Sequence, residues 1–220
     1  MPYLKRQAPS PEPINCKILT AALELFVKNG YHSVSIHQIQ KRANVSIGSI
    51  YNHFGGKEGV AKALYDHLSG EFNELVDDGI AAGKSARVQC AAIIRLMFTY
   101  TETHPEIMAY IFNTRHAEFL SNQPLLCESV GFEKVRAVVE RGIQRGEFNE
   151  MSPVVAASCI FGGAIRLIQL RLDGMVKQTL DERLFQQTID AAFQGIMTPQ
   201  HLECVETTSN VLTTEATATF

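Results

Sequence analysis

The chain has no G-x-S-x-G elbow, no H-E-x-x-H pair, no phosphate-binding loop and no dinucleotide fingerprint. These absences remove the usual local signatures of hydrolases, zinc peptidases and nucleotide-dependent enzymes. The five cysteines, Cys16, Cys90, Cys127, Cys159 and Cys204, are odd in number, far apart and without a C-x-x-C pair. Such usage fits reduced cytoplasmic thiols better than a disulfide or zinc framework. The seven histidines are scattered, His53 and His67 lie too far apart on a helix to chelate together, and no metal or cofactor is expected. Cys127 with His116 is conceivable as a thiol pair, although an inert buried cysteine is commoner. Prolines number only eight and no strand-like alternation occurs, so the fold class expected is all-α. Pro9, Pro11 and Pro13 interrupt the start, and no apolar run approaches membrane-spanning length. A cytoplasmic protein without membrane contact is the expectation.

What is present begins with a 45% hydrophobic content, enough for a real core, and a net charge of −3 over 220 residues. The charge is unevenly spread. Residues 1–70 hold eight Lys and Arg against four Asp and Glu, whereas residues 71–220 hold twelve against nineteen. A basic head on an acidic body suits a protein that touches nucleic acid with the head alone.

Within that head, the stretch from Ser35 to Lys57 reads as two short helices joined by a tight turn. Ser35 is placed to cap a helix whose third residue is Gln38, giving a reciprocal capping box. Ile36, Ile39 and Ala43 then form its apolar side. Asn44 tolerates the left-handed conformation that a helix stop requires. Val45 fills the corner, and Ser46 caps a second helix from Ile47 to Phe54, which Gly55 and Gly56 end. Ile50 and Phe54 face inward. The other sides carry small and hydrogen-bonding residues, one ring and no carboxylate, which suits a polyanion and base edges in the major groove. Lys57 then opens the next helix, where its ammonium and the free amides suit a phosphate.

The run Val45-Ser46-Ile47-Gly48-Ser49-Ile50-Tyr51-Asn52-His53-Phe54-Gly55-Gly56-Lys57-Glu58 closely resembles the DNA-binding signature of the TetR family of transcriptional regulators. The resemblance extends back through Ile18, Ala21, Ala22, Leu25, Phe26, Gly30 and Tyr31, about the first third of the chain. It implies an all-helical homodimer with a helix-turn-helix head and a variable body that binds a small molecule and releases a double-stranded DNA operator. Carried over position by position, it makes Ser35, Ser46, Ser49, Asn52, His53 and Lys57 phosphate contacts and Ile47, Gly48 and Tyr51 base-facing, with His37 near a base edge. Gln40 departs from the family's usual alanine and Asn44 from its usual glycine, which bears on how closely the two short helices pack.

Around the motif, residues 1–13 read as a disordered arm, 14–56 as the DNA-binding domain, 57–198 as a helical ligand-binding and dimerisation domain, and 199–220 as a disordered tail. A bracing helix from residue 14 to Asn29 carries Ile18, Leu19, Ala22, Leu25 and Phe26 at helical spacing. A long connector from Lys57 to about Ala82 presents Val60, Leu64, Leu68, Phe72 and Leu75, with Gly59, Gly70 and Gly79 as places for a bend. Further helices are predicted over Ser85–Thr103, Pro105–Leu120, Leu125–Arg145 and Ser152–Leu172, with a turn over Asn122–Pro124 and a last helix capped by Asp181.

In the final pair, Ile160, Gly163, Leu167, Leu170, Phe185, Ile189, Phe193 and Ile196 are the expected dimer interface, and Gly162-Gly163 permits close helix approach. Polar residues in apolar stretches, namely Arg95, Tyr100, Asn113, Arg115, His116, Arg166 and Gln169, are the expected lining of an effector pocket. The alternatives to a regulator are a helical adaptor with a head that does not bind DNA and an all-helical enzyme.

Overall fold

The structure is a computed structural model, and it describes residues 2–5, 10–120 and 129–198. Among them the chain forms nine α-helices and one 3-10 turn, with a single isolated bridge joining Phe148 to Met197. The helices are α1 (Ile14–Asn29), α2 (Ile36–Ala43), α3 (Ile47–Phe54), α4 (Lys57–Ala81), α5 (Ala86–Thr103), α6 (Pro105–Asn113), α7 (Val130–Gln144), α8 (Pro153–Leu172) and α9 (Glu182–Gln194). The 3-10 turn, His116–Glu118, follows α6.

Local chemistry sets most boundaries. Gly30, at φ 76°, stops α1, and Ser85 and Asp181 accept from Val88 and Leu184 amides to cap α5 and α9. Ser152 stands before Pro153 as expected, yet its side chain makes no capping bond. The predicted single helix from Pro105 to Leu120 instead ends at Asn113, where Thr114 is extended at φ −88° and ψ 130°. The next predicted helix is seen from Val130 onward. Its start at Leu125, the Asn122–Pro124 turn, Cys127, Cys204 and the tail from 199 lie outside the described residues.

α4 is the spine. It packs against α1 and α3 near its start and against α5 and α7 further along, and Val60, Leu64, Leu68, Phe72 and Leu75 are all buried. It runs without a break, and its Gly79 answers to packing: a Cβ there would sit 2.9 Å from the Ile93 amide nitrogen on α5. Glu147, from the corner after α7, receives the Ala86 amide at 2.7 Å and so adds a second cap to α5.

Residues 2–5 do not behave as a loose arm. Leu4 is buried on α4, its amide donates to Glu71 Oε2 at 2.8 Å, the Pro2 carbonyl meets His67 Nε2, and Lys5 pairs with Asp78. A backbone amide and a Leu side chain enclosed together replace the solvation that the prolines alone suggested, and Lys5 is held at the body.

One helix, Pro153–Leu172, is long and apolar enough to cross a membrane by length and composition, which corrects the expectation that no run approaches that length. It carries Arg166 and Arg171 within the same span. Arg171 is joined to Glu102 at 2.8 Å, tying α8 to α5 in the helical body.

Candidate nucleic-acid interface

The helix-turn-helix has the local geometry that its residues dictate. Ser35 Oγ accepts from the Gln38 amide at 3.3 Å and Gln38 Oε1 accepts from the Ser35 amide at 2.7 Å, completing the capping box. Asn44 adopts the left-handed conformation at φ 52° and ψ 53°. Gln40 has its own role here: its Nε2 donates to the Val45 carbonyl at 2.8 Å, while the Val45 amide returns a bond to the Gln40 carbonyl. The side chain that replaces the usual alanine thus ties α2 to the turn. Ser46 Oγ accepts from the Ser49 amide at 3.1 Å, capping α3, and lies 2.8 Å from the Ser49 hydroxyl.

Ile39 and Ile50 are fully buried between the two helices and α1. That packing turns one face of α3 outward. Gly48, Tyr51, Asn52 and His53 are exposed, Ile47 and Ser49 partly so, and Ser35 and His37 are exposed on α2. Tyr51 keeps 55% of its surface open, so the ring belongs to the outer face. From Leu25 through Lys57 the sequence carries no Asp or Glu, while Lys28, Lys41, Arg42 and Lys57 lie within it. A convex helical face free of carboxylates is what a phosphate backbone admits at close range.

Lys57 is placed differently from the expected free phosphate contact. Its Nζ donates to the carbonyls of Tyr31 at 2.9 Å and Val34 at 2.8 Å and lies 4.0 Å from the Tyr31 ring centre. Burial lowers its pKa from the ordinary lysine value. Two of its three donors are therefore spent on fixing the α1–α2 loop to the start of α4.

The polar residues singled out for the body do not converge. Arg95 pairs with Glu182 and lies 3.9 Å over the Phe185 ring, at a groove of about 600 Å³ between α5 and α9. Asn113 binds Asp173 at 2.8 Å, and Arg115, which pairs with Glu118, shares with Asn113 a cavity of about 570 Å³ between head and body. Gln169 donates to the Phe112 carbonyl at 3.0 Å, Arg166 is exposed on α8, and Tyr100 is half-buried beside His104. His116 alone is enclosed, against Tyr65 and Tyr110. Tyr65 and Tyr110 escaped sequence reasoning because each looks like an ordinary core position of an apolar helix. Cys90 is equally enclosed, and burial pushes its thiol up to about 12, so it is inert.

The expected dimer stripe also needs correction. Ile160, Phe185, Ile189, Phe193 and Ile196 are buried inside the single chain, with Phe185 against Phe98 and Phe193 against Phe148. Side chains already enclosed have no apolar surface left to offer. Gly163 is exposed and Leu167 and Leu170 are partly so. With Cys159, Arg166, Leu184 and Thr188, Gly163 and Leu167 border a groove of about 520 Å³ between α8 and α9.

Comparison with known proteins agrees with this geometry. Residues 18–64 match the family model of bacterial regulatory proteins, tetR family. The fatty acid metabolism regulator protein of Bacillus subtilis (strain 168) is 28% identical over 153 residues, spanning 68% of this chain and 79% of that one. A second B. subtilis regulator, YvkB, is 35% identical over 65 residues, and there the chain spans only 34% of its relative's length. The crystal structure of a TetR family regulator from Marinobacter aquaeolei VT8 superposes with a TM-score of 0.69 at 18% identity, covering 84% of this chain and 95% of that one. The B. subtilis regulator FadR, solved in complex with stearoyl-CoA, gives 0.67 at 24% identity, covering 81% and 97%. The matched residues 18–64 enclose α2, the turn and α3 together with most of the α1 that braces them, and over this head the chain is a member of the tetR family of bacterial regulatory proteins.

Proposed function

We propose that this regulator binds a palindromic operator as a homodimer, one α3 in each of two successive major grooves, and that a small apolar molecule entering the body releases it. The observation that carries the reading is the outer face of α3: exposed, capped by Ser46 and without a carboxylate. On it Ile47, Gly48 and Tyr51 face bases. Ser35, Ser46, Ser49, Asn52 and His53 line the phosphates, with His37 near a base edge. Head (14–56) and body (57–198) divide these tasks, in the cytoplasm and without a catalytic step.

Support for the second copy comes from α8. Only 28% of its most apolar stretch is buried within the chain, and Val154 and Val155 are 67% and 52% exposed. A Cβ at Gly162 or Gly163 would meet nothing within 4 Å, so the close approach these glycines permit is unused inside one subunit. The α8–α9 groove, with Gly163 and Leu167, is therefore the interface, in place of the inward stripe of α9. Likeness to a fatty acid metabolism regulator, and to a regulator solved with stearoyl-CoA, supports an effector with an acyl chain.

The test is gel retardation at moderate salt with DNA flanking the protein's own gene, beside sedimentation of the free protein. Retardation that depends on an inverted repeat, and a dimer at micromolar concentration, are expected. Equal retardation of a scrambled repeat, or monomers alone, would overturn the reading.

A further inference from the structure

Tyr110 on α6 and His116 in the 3-10 turn are enclosed, at 1% and 7% exposure, with ring centroids 4.7 Å apart. Among the described residues, neither the Tyr110 hydroxyl nor His116 Nε2 has a hydrogen-bond partner. Tyr65 closes the cluster 5.2 Å from His116. One turn further along α4, Ser69 Oγ is buried without a partner, and one turn beyond that so is Asn73 Oδ1. Ser129, just before α7, holds another such oxygen, and a Cβ on Gly131 would lie 3.4 Å from Asn73 Cα. The orphaned atoms thus follow one face of α4. Beside them Phe72 stacks on Phe132 at 4.9 Å and meets Phe112 edge-on at 6.0 Å.

Folded chains pair almost all the polar atoms they bury, so several orphans along one helix face mark a place kept for a guest. The electrostatics restrict its chemistry. Burial alone lowers the His116 pKa to about 4, leaving a neutral ring at physiological pH. The Tyr110 pKa is raised by burial and then by Tyr65, Asp66 and Tyr31, with no cation among its influences. A carboxylate or phosphate placed here would be buried with no cation among the described residues that act on Tyr110 or His116.

We infer that Tyr110 and His116 hold an uncharged carbonyl of the effector, an ester, amide or thioester, whose apolar chain runs beside Phe72, Phe112 and Phe132. This deepens the effector-release reading above and rests on it. The Tyr110 O–H donates to the carbonyl oxygen, and His116 in its Nε2–H tautomer supplies a second donor. A free fatty acid, charged at neutral pH, is refused.

The experiment is calorimetric titration of the full chain with decanamide and with decanoate, for the wild type and Tyr110→Phe, with ligand-free melting of both. Decanamide is expected to bind at least tenfold more tightly than decanoate, and Tyr110→Phe to weaken decanamide fivefold or more. The ligand-free variant should melt no lower than the wild type, since it loses only an unpaired hydroxyl. Decanoate binding equally well, no binding of decanamide, an unchanged affinity in Tyr110→Phe, or a ligand-free melting point several degrees lower would each overturn the inference. Operator retardation with the same preparation separates the two readings: its absence sinks the regulator model, and its presence beside any overturning result sinks the carbonyl site alone.

Discussion

The ring of Tyr31, in the loop between α1 and α2, stacks on that of Phe119, just after the 3-10 turn, with centroids 4.2 Å apart and planes at 12°. Phe119 in turn stands 6.0 Å from His116, and Tyr31 lies beneath the Lys57 ammonium. A chain of contacts therefore runs from the enclosed end of the body to the first residue of α4.

Phe119→Ala is expected to loosen this connection. An aromatic pair contributes about 0.5–1.5 kcal/mol beyond its buried area. The variant should keep operator and effector affinity within a few-fold of wild type while the effector loses up to about tenfold of its power to release DNA. Operator binding measured across an effector titration checks this; unchanged release would show that coupling takes another route.

Lys57→Ala should act mainly through stability. Loss of two charge-assisted bonds to carbonyls and of a cation–ring contact predicts a cost of about 1–3 kcal/mol. Because the ammonium is already engaged, the slope of log affinity against log salt should change by less than one phosphate contact's worth, about 0.9. Urea unfolding and a salt series of operator binding read the two effects separately.

Gly48→Val tests the base-facing assignment without disturbing the fold. A Cβ at Gly48 meets only Ser46 Oγ, at 3.8 Å, so the head has room for the added methyls. Helix propensity and stability should stay within about 1 kcal/mol of wild type. Selection from randomised operator libraries should return a changed base preference; an identical preference would remove Gly48 from the reading face.

Stability should fall in acid through His116. Its pKa in the fold is about 4, below its ordinary 6.5, so between those values the unfolded chain takes up a proton that the folded chain refuses. Stability is then fully present above pH 6.5 and lost as pH falls toward 4, by about 2 kcal/mol between pH 7 and pH 5. Urea unfolding of wild type and His116→Phe at both pH values checks it, with that share of the acid loss absent from the variant.

Leu4→Ala should destabilise the chain by about 2–3 kcal/mol, the cost of emptying a buried site. An arm free in solution would give no change in the denaturant midpoint.

Features written in adjacent residues were legible before any fold was known. Ser35 with Gln38, Asn44, Ser46 and Asp181 act within one helical turn, so their caps and stops follow from side-chain reach and backbone preference alone. The same holds for α1 through α4, and for the face of α3 that stays outside once Ile50 is committed to the core. Gln40 was legible only as a departure. Its bond to the Val45 carbonyl depends on where the turn carries that oxygen.

Which apolar stripe is spent inside the subunit and which is left over was decided by packing between helices distant in sequence. Phe185, Ile189 and Phe193 form as good a stripe as any interface offers, but α5 and Phe148 cover it, while α8 keeps Val154 and Val155 exposed. Likewise Tyr110, His116 and Ser69 read singly as core residues. Only the approach of α6 and the 3-10 turn to α4 encloses them without partners, because burial and hydrogen-bond satisfaction are properties of neighbours in space.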